Sequence, residues 1–341
     1  MKILVVGSDK IYAIENFYVK HLKAMGAKII HFPAQSAFYD YYQSSLVNKI
    51  KFRLGLSTIY RMINDRLIEL LKNEAPVVVW IFKGMEIYPE TLLKIKNEGI
   101  LLVNYNPDNP FLFSGSGSGN KNISGSISLY DLHFTYNLHT KKQLEEDYKA
   151  KTVWLPFGYD LDDELYKRCE VLEEINSVCF LGNPDKKRAE FIESLADEGV
   201  RISLYGNDWG KFLSGPNIEI HLPVYAEEQW ATLRKYRVQL NLMRLHNEDS
   251  HNMRTFEVPG VGGIMVAPDT TEHKMFFDDN KEVFLFKNVE ECADKIKWLL
   301  QLAKSGADEI RGRARERSLK SGYCYKMRSQ QVLMELSQRI E

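Results

Sequence analysis

At 341 residues the chain is too long for one hydrophobic core to grow comfortably, so two domains are expected. Hydrophobic content of 44% and charged content of 27% are those of an ordinary globular protein and exclude a disordered or fibrous one. A formal net charge of -1 supplies no global field toward nucleic acid, which is excluded as an expected partner.

In chain order, residues 2–6 are rich in β-branched side chains and run into Gly7, as a buried strand entering a loop should. A helix over 13–25 with Gly26 as its C-cap follows. Strands are predicted at 29–32, 77–82, 100–103 and 132–135, with Pro89 opening the helix between two of them. Residues 49–54 interleave basic and apolar side chains; they read as a solvated face or as a contact with an anionic membrane. Residues 114–120 are a Gly/Ser loop lacking the Gly-Lys-Ser/Thr of a phosphate-binding P-loop. The pattern breaks over 157–176, which suits an interdomain linker, and the Asp160-Leu161-Asp162 pair there is not expected to hold a metal.

The alternation then restarts. Strands are predicted at 178–182, 202–206, 238–242, 263–266 and 283–286, and Gly199 closes the helix between the first two. Strand–helix alternation in both halves predicts an α/β protein of two Rossmann-like, doubly wound domains facing a cleft. The boundaries are 1–156, linker 157–176, 177–321, and a C-terminal helix at 322–341 packing back on the first domain. The four cysteines, Cys169, Cys179, Cys292 and Cys324, form no CxxC pair, so neither disulfides nor zinc are expected. No signal-peptide pattern opens the chain, and its longest apolar stretch, 75–82, is too short to span a bilayer; a cytoplasmic location is expected.

The chemistry is expected around 252–257. A strand leads into the polar loop 244–251, and a helix should begin near Ser250 or Asn252, both good N-cap types. Such a helix end suits a diphosphate. Arg254 sits in its first turn, where a cation makes sense if an anion is present. Glu257, one turn on, can take both hydroxyls of a ribose. The alternative is an i,i+3 surface pair of Arg254 with Glu257. Arg244, leaving a strand at its carboxyl end, is either a phosphate ligand or an interdomain ion-pair partner.

The series Asn252-x-Arg254-x-Phe256-Glu257-x-Pro259-Gly260-x-Gly262-Gly263, Phe276-Phe277 and Val289-Glu290-Glu291 resembles the C-terminal signature of spore-maturation-type (CgeB-like) glycosyltransferases, within the group-1 class of GT-B enzymes. The likeness extends to 179–183 and 204–209, and more weakly to 82–84 and 105–110. It implies that Glu257 holds the nucleotide ribose while Asn252, Arg254 and Thr255 line the diphosphate. Gly182 and Asn183 would border the donor, and the loop after Tyr205-Gly206 and the region of Tyr225 would flank the base. In the retaining pattern of two glutamates the first would fall on Asp249, so stereochemistry is not carried over.

In the first half, Gly7-Ser8 either admits a sugar or phosphate to the backbone or makes a tight turn. Asp108 is a general base for an acceptor hydroxyl or a loop cap. His251 and His246 are further candidate bases. The resulting expectation is transfer of a sugar from a nucleotide-sugar donor to a glycan or lipid-linked hydroxyl, without cofactor or metal, with peripheral membrane contact as an option. A nucleotide-sugar epimerase and a non-catalytic nucleotide-sugar-binding protein are the alternatives. A nicotinamide dehydrogenase is disfavoured, because neither Gly7 nor Gly182 opens a G-x-G-x-x-G.

Overall fold

A computed structural model describes residues 1–113, 118–244 and 249–340. The chain divides into two compact units, one of Met1–Pro156 with Arg328–Glu341 and one of Phe157–Met327.

Unit 1 contains β1 (Lys2–Val6), α1 (Ile14–Ala24), β2 (Lys28–Phe32), α2 (Ala34–Ser44), α3 (Leu46–Arg53), α4 (Ile59–Glu74), β3 (Val78–Phe82), α5 (Pro89–Asn97), β4 (Leu101–Tyr105), α6 (Lys121–Ser126), β5 (Leu132–Thr135), α7 (Leu138–Tyr148) and β6 (Thr152–Trp154). The strands form one parallel sheet in the order β2-β1-β3-β4-β5-β6. Its central strands are continuous apolar runs because helices cover both faces. On one face Leu4, Val79, Ile81 and Leu102 pack against Ile63 and Leu67 of α4 and Leu92 and Ile95 of α5. The other face is aromatic, with Tyr18 edge-on to Trp80 at 5.0 Å and Trp80 against Phe82 at 4.6 Å.

Unit 2 contains α8 (Asp163–Glu170), β7 (Ile175–Leu181), α9 (Lys186–Asp197), β8 (Ile202–Tyr205), β9 (Ile218–His221), α10 (Ala226–Lys235), β10 (Tyr236–Leu240), α11 (Arg254–Gly260), β11 (Met265–Pro268), α12 (Thr271–Phe276), β12 (Phe284–Phe286), α13 (Val289–Gln301) and α14 (Lys304–Lys320). Its parallel order is β12-β11-β10-β7-β8-β9. The chain lays β8 and β9 on one side of β7, then crosses to add β10, β11 and β12 on the other. That is the doubly wound three-two-one-four-five-six order, with a topological switch point between β7 and β10. Val178, Phe180, Ile202, Leu204, Val238 and Leu240 form the core face under α9 and α13. Cys169, Cys179 and Cys292 are buried and Cys324 partly so; all four are free thiols within unit 2.

Residues 157–176, expected as a linker, lie inside unit 2. Tyr159 exchanges backbone hydrogen bonds with Tyr323 (3.2 Å) and Tyr325 (2.9 Å), which ties the segment to the end of α14. Asp162 caps α8 by accepting from the Leu165 N–H at 2.8 Å. The last helix, α15 (Tyr325–Ile340), crosses the boundary, and from Arg328 onward it counts with unit 1. There Gln331 Nε2 donates to the Trp154 carbonyl at 3.0 Å, and Val332 and Leu336 are fully buried.

Candidate functional site

Chain ends converge at the switch point of unit 2. β7 runs into Gly182 and Asn183, and β10 into Asn241 and Leu242. Arg188, in the first turn of α9, ties them together: its guanidinium donates to the Asn183 carbonyl at 3.1 Å and to the Leu242 carbonyl at 2.7 Å. It lies over the Phe180 ring at 5.4 Å, with Asp185 at 3.6 Å. Burial, and after it the charges of Arg244 and Arg254, pull Arg188 down to about 10. Arg188 and Arg254 each stand in the first turn of a helix, where the macrodipole also repels a cation, and Arg244 follows β10 close enough to add its charge. An anion bound among them would relieve both repulsions. Arg188 was not singled out by sequence reasoning; its only signal was a place in the first turn after the β7 loop, hidden in a Lys-Lys-Arg run.

The segment 252–257 is organised by a reciprocal cap. The Asn252 N–H donates to Thr255 Oγ1 and the Thr255 N–H to Asn252 Oδ1, both at 3.3 Å. Asn252 Nδ2 also donates to Asn241 Oδ1 at 2.7 Å, fastening the loop to the end of β10. Glu257 is only 3% exposed. Its carboxylate accepts from Gln229 Nε2 of α10 at 3.3 Å and from Arg254. The Arg254–Glu257 pair is therefore a semi-buried one rather than a pair on a solvated face. Arg254 keeps a quarter of its side chain exposed, and its Nε has no hydrogen-bond partner among the described residues.

Several expected ligands face inward instead. Thr255 is fully buried. His273 Nδ1 lies 2.8 Å from the Pro268 carbonyl and must donate to it, so His273 Nε2 accepts from the Thr255 hydroxyl at 2.9 Å. Burial lowers His273 to about 4, which keeps that tautomer neutral. The Thr255 hydroxyl thus anchors α11 from inside the domain. His251 is likewise fully buried: Nε2 accepts from the Phe157 N–H at 3.2 Å, and Nδ1 pairs with Glu272. Both of its nitrogens are thus engaged inside unit 2. Asp249 caps α12, accepting from the Thr271 N–H at 2.9 Å and its hydroxyl at 3.1 Å. His246 lies outside the described residues.

The neighbouring loops are tightly fastened. Trp209 Nε1 donates to the Gly182 carbonyl at 2.8 Å, and the Asn207 N–H to Asn183 Oδ1 at 3.0 Å. A Cβ on Gly206 would lie 2.3 Å from the Gly182 oxygen, so only glycine fits there. The Tyr205 ring stacks on His221 at 4.4 Å, and its hydroxyl pairs with Tyr236 at 2.9 Å. Tyr225, 47% exposed, precedes α10 one turn before Gln229. The next residue, Ala226, holds a φ of +50°, a left-handed conformation costly to a residue with a Cβ.

In unit 1 the corresponding switch point lies between β1 and β3. The Ser8 N–H donates to Glu15 Oε1 at 2.9 Å, and a Cβ on Gly7 would meet that same oxygen at 2.4 Å. Burial pushes Glu15 up to about 7 and does the same to Glu86. Lys83, at a φ of +61°, lies near both and pairs with Asp108 at 2.6 Å. Gly7 therefore serves first to admit Glu15. Asp108, with 27% of its side chain exposed, is the more accessible carboxylate of this group. A carboxyl raised in the folded state binds a proton that the unfolded chain has released, so its contribution is lost as pH rises from about 4.5 to about 7. Glu15→Gln is expected to raise stability at pH 8 by on the order of 2 kcal/mol and to leave it nearly unchanged at pH 4. Urea unfolding of both forms at the two pH values checks this.

Residues 187–334 match the family model described as glycosyl transferase-like. No curated protein matches the chain. Among solved structures, it is similar to sucrose-phosphate synthase of Thermosynechococcus elongatus (TM-score 0.72, 10% identity, 99% of this chain and 98% of that one). It is also similar to HepE of Anabaena in complex with UDP-glucose (0.67, 12%, 99% and 100%). A third likeness is to a putative UDP-N-acetylglucosamine 2-epimerase of Listeria monocytogenes (0.60, 13%, 99% and 96%). At such identities the likeness speaks to fold. The chain has the GT-B fold of two Rossmann-like domains, and its 187–334 segment is glycosyl transferase-like.

Proposed function

We propose that the protein is a glycosyltransferase that binds a nucleotide-sugar on unit 2 and passes the sugar to a hydroxyl acceptor. The observation that carries this reading is the convergence of Arg188, Arg244 and Arg254 on the switch point of unit 2, with Glu257 buried beside them. The arginines take the donor diphosphate and stabilise its charge as the glycosidic bond breaks. Glu257, held by Gln229 and Arg254, takes the ribose hydroxyls, and Tyr225 flanks the base. Three guanidiniums can themselves offset the charge of the leaving diphosphate, so we infer metal-independent transfer.

In unit 1 we assign the acceptor base to Asp108, because Glu15 and Glu86 are buried while Asp108 keeps access to solvent. The motif series around Glu257 supports a CgeB-like specificity, with a sugar of the hexose class, an acceptor in a glycan or on a lipid carrier, and work in the cytoplasm on surface glycans.

The test is titration of the protein with UDP, GDP, dTDP and their sugars by calorimetry. Saturable binding to one of them is expected, weakened at least ~30-fold in Glu257→Ala, on the order of 2 kcal/mol for a lost buried charged partner. Binding to none, or equal binding by the variant, would overturn the reading. Asp108→Asn should lower turnover ~100-fold, within the usual worth of a general base, while donor affinity stays unchanged. The likeness to an epimerase favours a second reading on the same fold, which acceptor-free conversion of the donor sugar would support.

A further inference from the structure

The helix α3 is built with its apolar side outward. Phe52 is its anchor, set against Phe38 at 4.8 Å, Tyr60 at 5.5 Å and Tyr42 at 5.7 Å. No residue of the helix is buried. At about 100° per residue, Leu46, Ile50, Leu54 and Val47 fall on one arc roughly opposite Phe52. Their exposures are 75%, 56%, 67% and 58%, and Leu56 just beyond is 69% exposed. Arg53 borders that arc on one side and Lys51 on the other. Lys49 lies nearer the body, with its ammonium 5.8 Å from the Tyr42 ring. From Tyr41 to Asn64 the chain carries Lys49, Lys51, Arg53 and Arg61 and no Asp or Glu. The surface is therefore apolar in the middle and cationic at the rim, in a protein whose net charge is -1.

An exposed aliphatic arc of this kind is unfavourable in water and marks an interaction surface. The rim selects the partner. A protein groove lined by apolar residues would not by itself call for cations on both borders with no carboxylate among them. An anionic bilayer does: aliphatic side chains enter the boundary between headgroups and acyl chains while flanking Lys and Arg stay at the phosphates. Among the described residues no helix is long and apolar enough to cross a membrane, so the contact would be peripheral.

We propose that α3 and the turn after it, residues 46–56, dock unit 1 onto an anionic lipid surface, with Leu46, Val47, Ile50, Leu54 and Leu56 inserted and Lys49, Lys51 and Arg53 on the headgroups. This goes beyond the donor chemistry of unit 2 and does not depend on it.

The test is sedimentation of the full chain with vesicles of phosphatidylcholine alone or mixed with phosphatidylglycerol. Binding is expected to the mixed vesicles only and to fall as salt rises. Lys49→Gln/Lys51→Gln/Arg53→Gln should weaken it on the order of a hundredfold, near tenfold or less per cation. Ile50→Ser/Leu54→Ser should weaken it while keeping the salt dependence of what remains. Ile50, Lys51, Arg53 and Leu54 are exposed and Lys49 is half-buried, so circular dichroism and the thermal midpoint should change little in either variant. No sedimentation with either vesicle, or sedimentation that neither variant changes, would overturn the proposal. So would a concentration-dependent dimer, seen by light scattering, that Ile50→Ser/Leu54→Ser dissociates without any vesicle binding. Donor titration reads unit 2 separately, so failure of one proposal is distinguishable from failure of the other.

Discussion

Replacing Arg188 by alanine is expected to weaken donor binding at least ~100-fold and to destabilise unit 2 by about 2 kcal/mol. The two losses have different causes. The carbonyls of Asn183 and Leu242 each lose a charge-assisted donor; the Leu242 carbonyl is buried, and a buried acceptor left unpaired costs roughly 1–3 kcal/mol, whereas Asn183 is exposed and water can replace its donor. The donor loses a guanidinium and also the fastening that brings the ends of β7 and β10 together at the switch point. Arg188→Lys separates the effects. An ammonium restores charge without the planar fork that reaches both carbonyls, so thermal stability should recover less than the charge alone would suggest. Urea unfolding alongside calorimetric titration with whichever member of the UDP, GDP and dTDP panel binds reads both. Unchanged donor affinity in Arg188→Ala would remove this residue from the site and leave it a purely structural clamp.

The second large effect is expected at Gly206. An alanine Cβ there would stand 2.3 Å from the Gly182 oxygen and 2.9 Å from Trp209 Nε1. Neither can yield cheaply, because Trp209 Nε1 donates to that oxygen and the Gly182 N–H donates to the Tyr205 carbonyl at 2.9 Å. Overpacking against fixed backbone puts the cost of Gly206→Ala at about 3 kcal/mol. Gly210, four residues on, has nothing within 4 Å of its notional Cβ, and Gly210→Ala should stay within ~0.5 kcal/mol. The difference in urea midpoint between the two variants checks the geometry without any assumption about function.

What could be read in the sequence follows from how each feature is encoded. The central strands were legible because burial on both faces demands continuous apolar runs, as in Val78–Phe82. The edge strands β6 and β9 were not, since three or four residues with only intermediate or exposed positions carry no such run. The grouping of 157–176 with unit 2 was hidden because backbone pairing between Tyr159 and residues 323 and 325 leaves no composition signal.

At the site, Glu257 and Arg254 were legible as an i,i+3 motif on one helix. Arg188 was not, because its partners are carbonyls 5 and 54 residues away. The burial of Thr255 and His251 was hidden for a complementary reason. A polar residue in a motif or a loop looks available until its buried partners, His273 and Glu272, are known. Glu15 escaped notice because a carboxylate in the first turn of a helix normally reads as a solvated dipole partner, whereas this one folds under Ser8.

The placement of the thiols has a kinetic consequence. Every cysteine belongs to unit 2, three are buried, and burial pushes the thiols of Cys179 and Cys292 up, so the reactive thiolate is scarce as well as shielded. Alkylation of the native protein should therefore reach Cys324 first and proceed at the other three only as fast as unit 2 opens. Pulsed labelling would time the breathing of one half of the molecule while the other half stays silent.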